Sequence, residues 1–277
     1  MVYFCLIPAH NFFQLEIVGY IASIFVGLLL GLLGGGGSIL SIPILVYLFH
    51  IDAVLASAYS LFIVGSTSLV GAIPKYRDHL VKVKTGLLFG IPSVFAIFIT
   101  RRWIVPSIPK VIFQTESFVL TQRLLIMGVF SFIVILASVS MIRGRKEIGN
   151  LTGSLRIPLT LVEGLLIGFL TGLVGAGGGF LIIPALVLLT RLPMKTASGT
   201  SLFIIAVNSL IGFAGDVLIT KMDWAFLLLF TSIAIVGVLV GNQLSRRVPG
   251  VVLRKAFGWF TLLMGGSILI WELLLVP

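Results

Sequence analysis

The sequence contains few charged residues. Only 10% of its 277 positions are Asp, Glu, Lys or Arg, whereas a soluble domain carries about 25%. Apolar residues occupy 58% of the chain, Gly fills another 31 positions, and the mean hydropathy is +1.21. Too few polar side chains are therefore present to cover a soluble domain, and we expect a protein that spans a membrane several times.

Cysteine and histidine are also scarce. Cys5 is the single cysteine, which excludes a disulfide framework and a thiolate metal site. His10, His50 and His79 lie in tails or loops without metal-ligand spacing. The sequence contains no plausible catalytic constellation, so we expect a transporter rather than an enzyme, with no metal or cofactor.

Long apolar runs predict membrane-spanning helices. They continue for about 20 residues, whereas the strands of a membrane β-barrel alternate over about 10. We predict an all-α fold of ten segments, at 15–33, 38–49, 53–73, 85–105, 121–142, 157–176, 179–190, 196–219, 224–244 and 256–275. The second and seventh segments are short and contain Pro43 and Pro184, so each is expected to form a hairpin with the segment before it.

The chain carries an internal repeat. Residues 27–71 align without a gap on residues 168–212, an offset of 141 (168 minus 27). The motif GLLGGGGSILSIPIL lies over GLVGAGGGFLIIPAL, and matching Gly, Pro and Ser positions exceed what apolar composition alone produces. The chain is therefore divided into an N-terminal repeat at 1–149 and a C-terminal repeat at 150–277, each with five segments.

An odd number of segments in each repeat predicts that the two repeats are inverted. With the N-terminus outside, 14 of the 19 Lys and Arg residues fall in inside loops, as the excess of basic residues in cytoplasmic loops requires. Both termini are then expected outside. These basic residues anchor the loops, so the net charge of +10 points to a lipid bilayer as partner and not to nucleic acid.

Two Gly runs are the first candidates for a binding site. Short segments interrupted by Gly and Pro, at matching positions of inverted repeats, indicate a transporter binding site. Backbone N–H groups of such a run and the positive end of the next helix suit an anion, whereas the nearby pairs Gly27–Gly31 and Gly168–Gly172 indicate helix packing. The predicted binding residues are Gly34, Gly35, Gly36, Gly37 and Ser38, with Gly175, Gly177, Gly178 and Gly179.

The third segment of each repeat adds a polar stripe. Its residues fall within about 80° of one helix face, and they are either substrate contacts or hydrogen bonds between helices. Because no Lys or Arg was expected deep inside a segment, an anion was expected to be held by neutral donors. The stripe comprises Ser57, Ser60, Thr67, Ser198, Thr200, Ser201 and Asn208.

Acidic residues within the segments are candidates for coupling transport to a proton. Glu163 lies about two turns into the sixth segment, and Asp216 ends the polar face of the eighth. A carboxylate inside a membrane is a proton-relay candidate, although Glu163 is also close enough to a helix start to be solvated.

The repeated Gly/Pro motif, followed in each half by AS-x-x-S-L-F, resembles the duplicated motif of the TauE/SafE permeases, also called sulfite exporters. The resemblance spans about residues 15–275. It implies a carrier of the bacterial inner membrane that moves sulfite, sulfoacetate or other sulfur-containing organic anions, generally outward, with the two Gly runs as its motifs. Ser38 departs from its counterpart Gly179.

From the sequence we predict an inverted-repeat carrier that exports a small sulfur-containing anion by alternating access. An anion channel is the first alternative, and a membrane-embedded enzyme is the second. The substrate, the direction of transport, the coupling ion and the oligomeric state, including a homo-oligomer, stay open.

Overall fold

The structure, a computed structural model, describes residues 9–104, 107–109, 111–115, 118–143, 156–174, 179–217 and 221–274. Its helices follow the predicted segments closely. They are α1 (Ala9–Leu33), α2 (Ser38–Pro43), α3 (Ala53–Arg77), α4 (Val83–Ile99), α5 (Gln122–Arg143), α6 (Arg156–Val174), α7 (Gly179–Pro184), α8 (Met194–Asp216), α9 (Trp224–Arg247) and α10 (Gly250–Leu274).

The helices confirm a multi-pass α-helical membrane protein. Within the described residues, six helices are long and apolar enough to cross a membrane. They occupy Leu55–Arg77, Val83–Ile104, Leu124–Arg143, Met194–Asp216, Trp224–Arg247 and Gly250–Ile270. Shorter apolar helices lie at Ile17–Leu33, Ile157–Leu173 and Gly179–Leu188.

Three helices continue as π-helical stretches. Ile44–Leu48 follows α2, Thr100–Ile104 follows α4, and Ala185–Leu189 follows α7. Pro43 and Pro184 end α2 and α7, because proline lacks the N–H that an α-helical turn requires. Each short helix plus its π-stretch covers roughly 16 Å at 1.5 Å per residue, about half of a ~30 Å hydrocarbon core. Both are therefore short return arms of their hairpins.

The loop between α4 and α5 contains structure that the all-α prediction missed. Val111–Thr115 and Phe118–Thr121 form an antiparallel two-stranded hairpin, β1 and β2. The sequences VIFQT and FVLT are rich in β-branched and aromatic residues, which favour strands. Segment-based prediction treated these residues as a loop because neither run is long enough to span a membrane.

Helices of opposite repeats pack in equivalent parallel pairs. A Cβ at Gly27 in α1 would meet the backbone of Ala234 in α9, and one at Gly168 in α6 would meet the backbone of Ser93 in α4. At the offset of 141, Gly168 is the counterpart of Gly27 and Ala234 is the counterpart of Ser93. The contact of Gly27 with Ala234 is therefore equivalent to the contact of Gly168 with Ser93, with the two repeats exchanged. Such close approach of backbones needs residues without side chains, as the packing interpretation of these glycines predicted.

The third helices of the two repeats, α3 and α8, lie antiparallel at the centre. Gly65 contacts Leu210, Gly212 contacts Leu61, and Lys75 contacts Ser198, so residue numbers rise in one helix as they fall in the other. The fifth helices, α5 and α10, are also antiparallel and share a 2.8 Å hydrogen bond between the hydroxyls of Ser138 and Thr261.

Candidate functional site

The first Gly run forms a tight turn at the tip of the α1–α2 hairpin. Gly34 has a φ of +92°, a backbone conformation that residues with a side chain rarely adopt. Ser201 on α8 donates a 2.7 Å hydrogen bond to the carbonyl oxygen of Gly34. The turn is therefore fixed against the other repeat.

The two ends of this run are engaged in hydrogen bonds within the protein. The N–H of Gly34 donates to Leu30, and the N–H of Ser38 donates to Gly35. The Ser38 hydroxyl also donates to the Gly35 carbonyl at 2.8 Å. A Cβ at Gly35 would lie 2.9 Å from the carbonyl oxygen of Gly179, so the two Gly motifs meet. Gly36 and Gly37 are buried beside them.

A lysine lies next to this turn. Lys75 was assigned to a loop in the sequence analysis, but it belongs to α3 and is 4% exposed. Its Nζ donates a 2.6 Å hydrogen bond to the hydroxyl of Ser198 on α8. The premise that no Lys or Arg lies deep inside a segment was therefore wrong at this position, because α3 continues beyond the predicted boundary and includes Lys75.

Lys75 and Ser198 line a cavity of about 110 Å³. α3, α8, α9 and α10 surround it, and its lining residues are Pro74, Lys75, Asp78, Leu80, Lys195, Ser198, Asn242, Ser245, Arg246 and Leu253. Among the described candidates from the sequence analysis, Ser198 alone belongs to this lining. We call the end of the molecule where Lys75, Lys195 and Arg246 lie the basic end.

The charges around the cavity are unbalanced. Among the described lining residues, Lys75, Lys195 and Arg246 face one carboxylate, Asp78. Arg246 forms an ion pair with Asp78 at 2.8 Å, and Lys195 donates to the Arg246 carbonyl at 3.1 Å. One carboxylate therefore compensates one of three cations, and the cavity is suited to an anion.

Asn242 connects the cavity to the centre of the fold. Its Nδ2 donates a 2.8 Å hydrogen bond to the carbonyl of Gly71 on α3, and Ser245 donates to the Asn242 carbonyl. The Oδ1 of Asn242 is buried without a partner among the described residues. This amide joins α9 to α3 one helical turn before Lys75.

The other residues of the predicted polar stripe bond within the protein or lie at other depths. Thr200 accepts a hydrogen bond from the backbone N–H of Lys82 at 3.0 Å. Thr67 donates to carbonyls of its own helix, and Asn208 donates to the Ser93 hydroxyl at 3.1 Å. Ser57 is half-buried and Ser60 is buried in the opposite half of α3. The stripe does not converge on one cavity.

The remaining predicted residues either lie outside the described part of the chain or lie apart from the cavity lining. Gly175, Gly177 and Gly178 lie outside the described residues. Asp216 is half-buried at the end of α8 away from the basic end. Glu163 is 2% exposed within α6, so the alternative that it is solvated at a helix start was wrong.

The membrane-spanning helical fold agrees with the comparisons with known proteins. The family model described as Sulfite exporter TauE/SafE matches residues 20–268. The chain belongs to the TauE/SafE family.

Curated relatives of this TauE/SafE chain are named as transporters. The chain is 30% identical over 240 residues to a probable membrane transporter protein of Xylella fastidiosa, covering 84% of this chain and 87% of the relative. It is 26% identical over 264 residues to the probable membrane transporter protein YunE of Bacillus subtilis, covering 86% and 90%. No solved structure matches the chain. This TauE/SafE protein is a membrane transporter and not an enzyme.

The sequence analysis missed Lys75, Asn242 and Arg246 in this TauE/SafE chain, although one signal was present. Lys75 lies 18 residues after Ser57, which is five full helical turns at 3.6 residues each, so it shares the face of the polar stripe. It is also the counterpart of Asp216 at the offset of 141, and Asp216 had already been assigned to that face. Asn242 and Arg246 had no such signal, because their helix was treated as a plain spanning segment.

Proposed function

We propose that this transporter exports small sulfur-containing anions, such as sulfite, sulfoacetate or related organosulfonates. The observation that carries the proposal is the cavity at the basic end, where a buried Lys75 is bonded to Ser198. Burying a cation in a membrane protein is costly, and such residues generally mark a transport pathway. Family membership supports the sulfur-containing class of anion.

The cavity supports a small substrate. Its volume of about 110 Å³ is well below the ~300 Å³ or more of pockets for drug-sized ligands. Lys75 supplies a cation, Ser198 a hydroxyl, and Lys195 and Arg246 draw anions toward the mouth. An oxoanion that enters accepts hydrogen bonds from Lys75 Nζ and from the Ser198 hydroxyl, in place of the bond that joins these two side chains in the structure.

We propose that transport proceeds by alternating access between two inverted repeats, 1–149 and 150–277. The exchanged contacts of α1 with α9 and α6 with α4 support this arrangement, as does the antiparallel packing of α3 on its counterpart α8. Repeats related in this way can exchange conformations around a central site. The junction of Gly34, Gly35, Ser38 and Gly179 with Ser201 is the proposed moving contact.

We propose that the basic end faces the cytoplasm of a bacterial inner membrane and that both termini face outward. The concentration of Lys and Arg at this end supports the orientation. An exporter that loads at this end receives its anion from the cytoplasm through the cavity.

The proposal is tested by flux measurements in proteoliposomes. Purified protein is reconstituted, and flux is measured for sulfite, sulfoacetate, sulfate and taurine at several concentrations. We expect saturation and counter-transport for sulfite or an organosulfonate, and weakened apparent affinity in Ser198→Ala. The matched control is Lys255→Gln, which removes an exposed cation of α10 outside the cavity and should leave affinity unchanged.

Two results contradict the proposal. Flux that rises linearly with concentration and shows no counter-transport would identify a channel. Equal behaviour of Ser198→Ala and Lys255→Gln would remove the cavity from the transport pathway.

A further inference from the structure

The carboxyl group of Glu163 is buried in α6 without a hydrogen-bond partner. Its side chain is 2% exposed, and neither carboxylate oxygen reaches a donor among the described residues. The hydroxyl of Thr190, at the end of the π-helical stretch after α7, lies within interaction range of this carboxyl group. By geometry it forms no hydrogen bond with Glu163 or with any other described residue. Buried polar groups in native proteins are almost always hydrogen-bonded, so this pair requires an explanation.

No described cation compensates Glu163. The elements that pack against α6 are α4 with its π-stretch, α5, and α7 with its π-stretch. The described cations on or beside these elements are Lys84, Arg102, Arg143 and Arg191, and none of them forms a hydrogen bond with a carboxylate oxygen of Glu163. An ionised carboxylate that is buried without a cation is strongly unfavourable. Burial therefore favours the neutral, protonated form of Glu163 in this conformation.

The other repeat shows that the fold does not need a carboxyl group here. The counterparts of Glu163 and Thr190, at the offset of 141, are Ala22 and Phe49. The Phe49 ring packs edge-on against Tyr20, with ring centroids 5.2 Å apart. The N-terminal repeat thus closes the same hairpin without an acidic residue, so Glu163 is not explained by packing.

We propose that Glu163 is a proton-binding site that couples anion transport to the pH gradient across the membrane. The proposal rests on the transport function proposed above. Thr190 lies at the end of the α7 arm, so movement of this arm opens the space around Glu163. Water then reaches the carboxyl group, the proton leaves, and the carboxylate becomes solvated. Each cycle of the hairpin thereby binds one proton and releases it again.

The first test needs no transported anion. Infrared spectra of the purified protein in lipid bilayers at neutral pH should contain the C=O stretching band of a protonated carboxylic acid. Glu163→Gln should lose this band. Asp223→Asn is the control, because Asp223 is an exposed residue at the start of α9 whose Oδ1 accepts from the Phe226 N–H, and this variant should retain the band. Identical spectra of wild type and Glu163→Gln would overturn the proposal.

The second test measures coupling in proteoliposomes with radiolabelled sulfoacetate and with sulfite. An imposed pH gradient should drive accumulation in wild type and not in Glu163→Gln, whose neutral amide cannot release a proton. Gradient-driven accumulation by Glu163→Gln equal to wild type would contradict coupling through this residue. If wild type carries neither anion while the infrared band behaves as expected, the proposed substrate class fails and the proton-binding site stands.

Discussion

Lys75 is costly to the folded state. The residue is 4% exposed, and its Nζ donates one hydrogen bond in the described structure, to the Ser198 hydroxyl. An apolar side chain of similar volume often replaces buried charged groups without loss of stability or with a gain. The stability of the fold therefore does not explain Lys75, whereas the proposed anion binding does.

Lys75→Met should stabilise the folded protein and weaken its binding of the anion. Removing the buried charge is expected to add about 1 kcal/mol, or roughly 2 to 4 °C in Tm. Losing a charged hydrogen bond of about 1.5 to 3 kcal/mol should weaken apparent affinity by roughly 10- to 150-fold. Thermal unfolding in detergent and the concentration dependence of sulfite or sulfoacetate flux measure the two effects.

The control for this prediction is Lys255→Met, which replaces an exposed lysine outside the cavity lining. It should alter neither Tm nor affinity appreciably. A Lys75→Met protein that unfolds at a lower temperature than wild type would show that this cation stabilises the fold.

Gly34→Ala should destabilise the α1–α2 hairpin. The backbone at Gly34 has a φ of +92°, where a side chain costs roughly 1 to 2 kcal/mol. Its Cβ would also meet Ser198 and disturb the acceptor of Lys75. Thermal unfolding and flux should therefore both decline.

Gly266→Ala makes the matched control for Gly34→Ala. Gly266 lies within α10, and nothing lies within 4 Å of a Cβ there. Alanine favours a helix over glycine by about 1 kcal/mol, so this variant should be neutral or stabilised. Equal loss of stability in both variants would count against the turn as the cause.

The part of the candidate site that could be predicted from the sequence is the part that depends only on residue type and position on a helix face. Ser198 was selected from the repeated polar stripe, and the structure places it in the cavity lining. Asn242 and Arg246 were not selected, because their role depends on how α9 packs against α3 and α8. Contacts such as the Asn242–Gly71 hydrogen bond join residues far apart in the chain, and a single sequence does not contain that information.

At the scale of elements, the parallel pair of α1 and α9 depends on close backbone approach. Gly27→Leu should disrupt this pair, because its Cβ would already meet the backbone of Ala234. Overpacking costs typically about 1 to 3 kcal/mol, and backbone cannot move aside as a side chain can. Lower detergent stability and lower yield of folded protein are the expected results.

Gly128→Leu is the control for this substitution. Gly128 lies in α5, and nothing lies within 4 Å of a Cβ there, so leucine should be accepted. If Gly27→Leu is as stable as Gly128→Leu, close backbone contact between α1 and α9 does not contribute to stability, and the prediction is wrong.

The helices themselves were largely predictable from the length of their apolar runs. For example, the segment predicted at 224–244 corresponds to α9 at Trp224–Arg247. The predicted end of the third segment at residue 73 was too early, because α3 continues through Pro74 to Arg77. The π-stretches and the β1–β2 hairpin were missed, since local hydrogen bonding, rather than hydropathy, determines them.

At the scale of the whole molecule, equivalent positions carry different chemistry. Lys75 and Asp216 are counterparts at the offset of 141. The interface of α3 with α9 likewise corresponds to the interface of α8 with α4. Asn242 joins α9 to α3 beside the charged cavity, whereas Asn208 joins α8 to α4 beside an apolar groove of about 410 Å³, lined by Gly86 and Phe203 among others. The two interfaces therefore differ in charge and polarity although their positions are equivalent.

The proposed inversion of the two repeats predicts that counterparts face opposite sides of the membrane. Lys82 and Asp223 are separated by 141 residues (223 minus 82), each precedes the fourth helix of its repeat, and both are exposed. In a Cys5→Ser background, Asp223→Cys should react with a membrane-impermeant maleimide in intact spheroplasts. Lys82→Cys, at the basic end, should react only after lysis or in inverted vesicles.

Two features keep this labelling experiment interpretable. Both positions lie beside helix starts in exposed loops, so access to the thiol depends on the side of the membrane and not on burial. The backbone N–H of Lys82 that bonds to Thr200 is retained in the cysteine variant. Labelling of both variants from the same side would rule out inverted repeats, and labelling of Lys82→Cys alone in spheroplasts would keep the inversion but place the basic end outside.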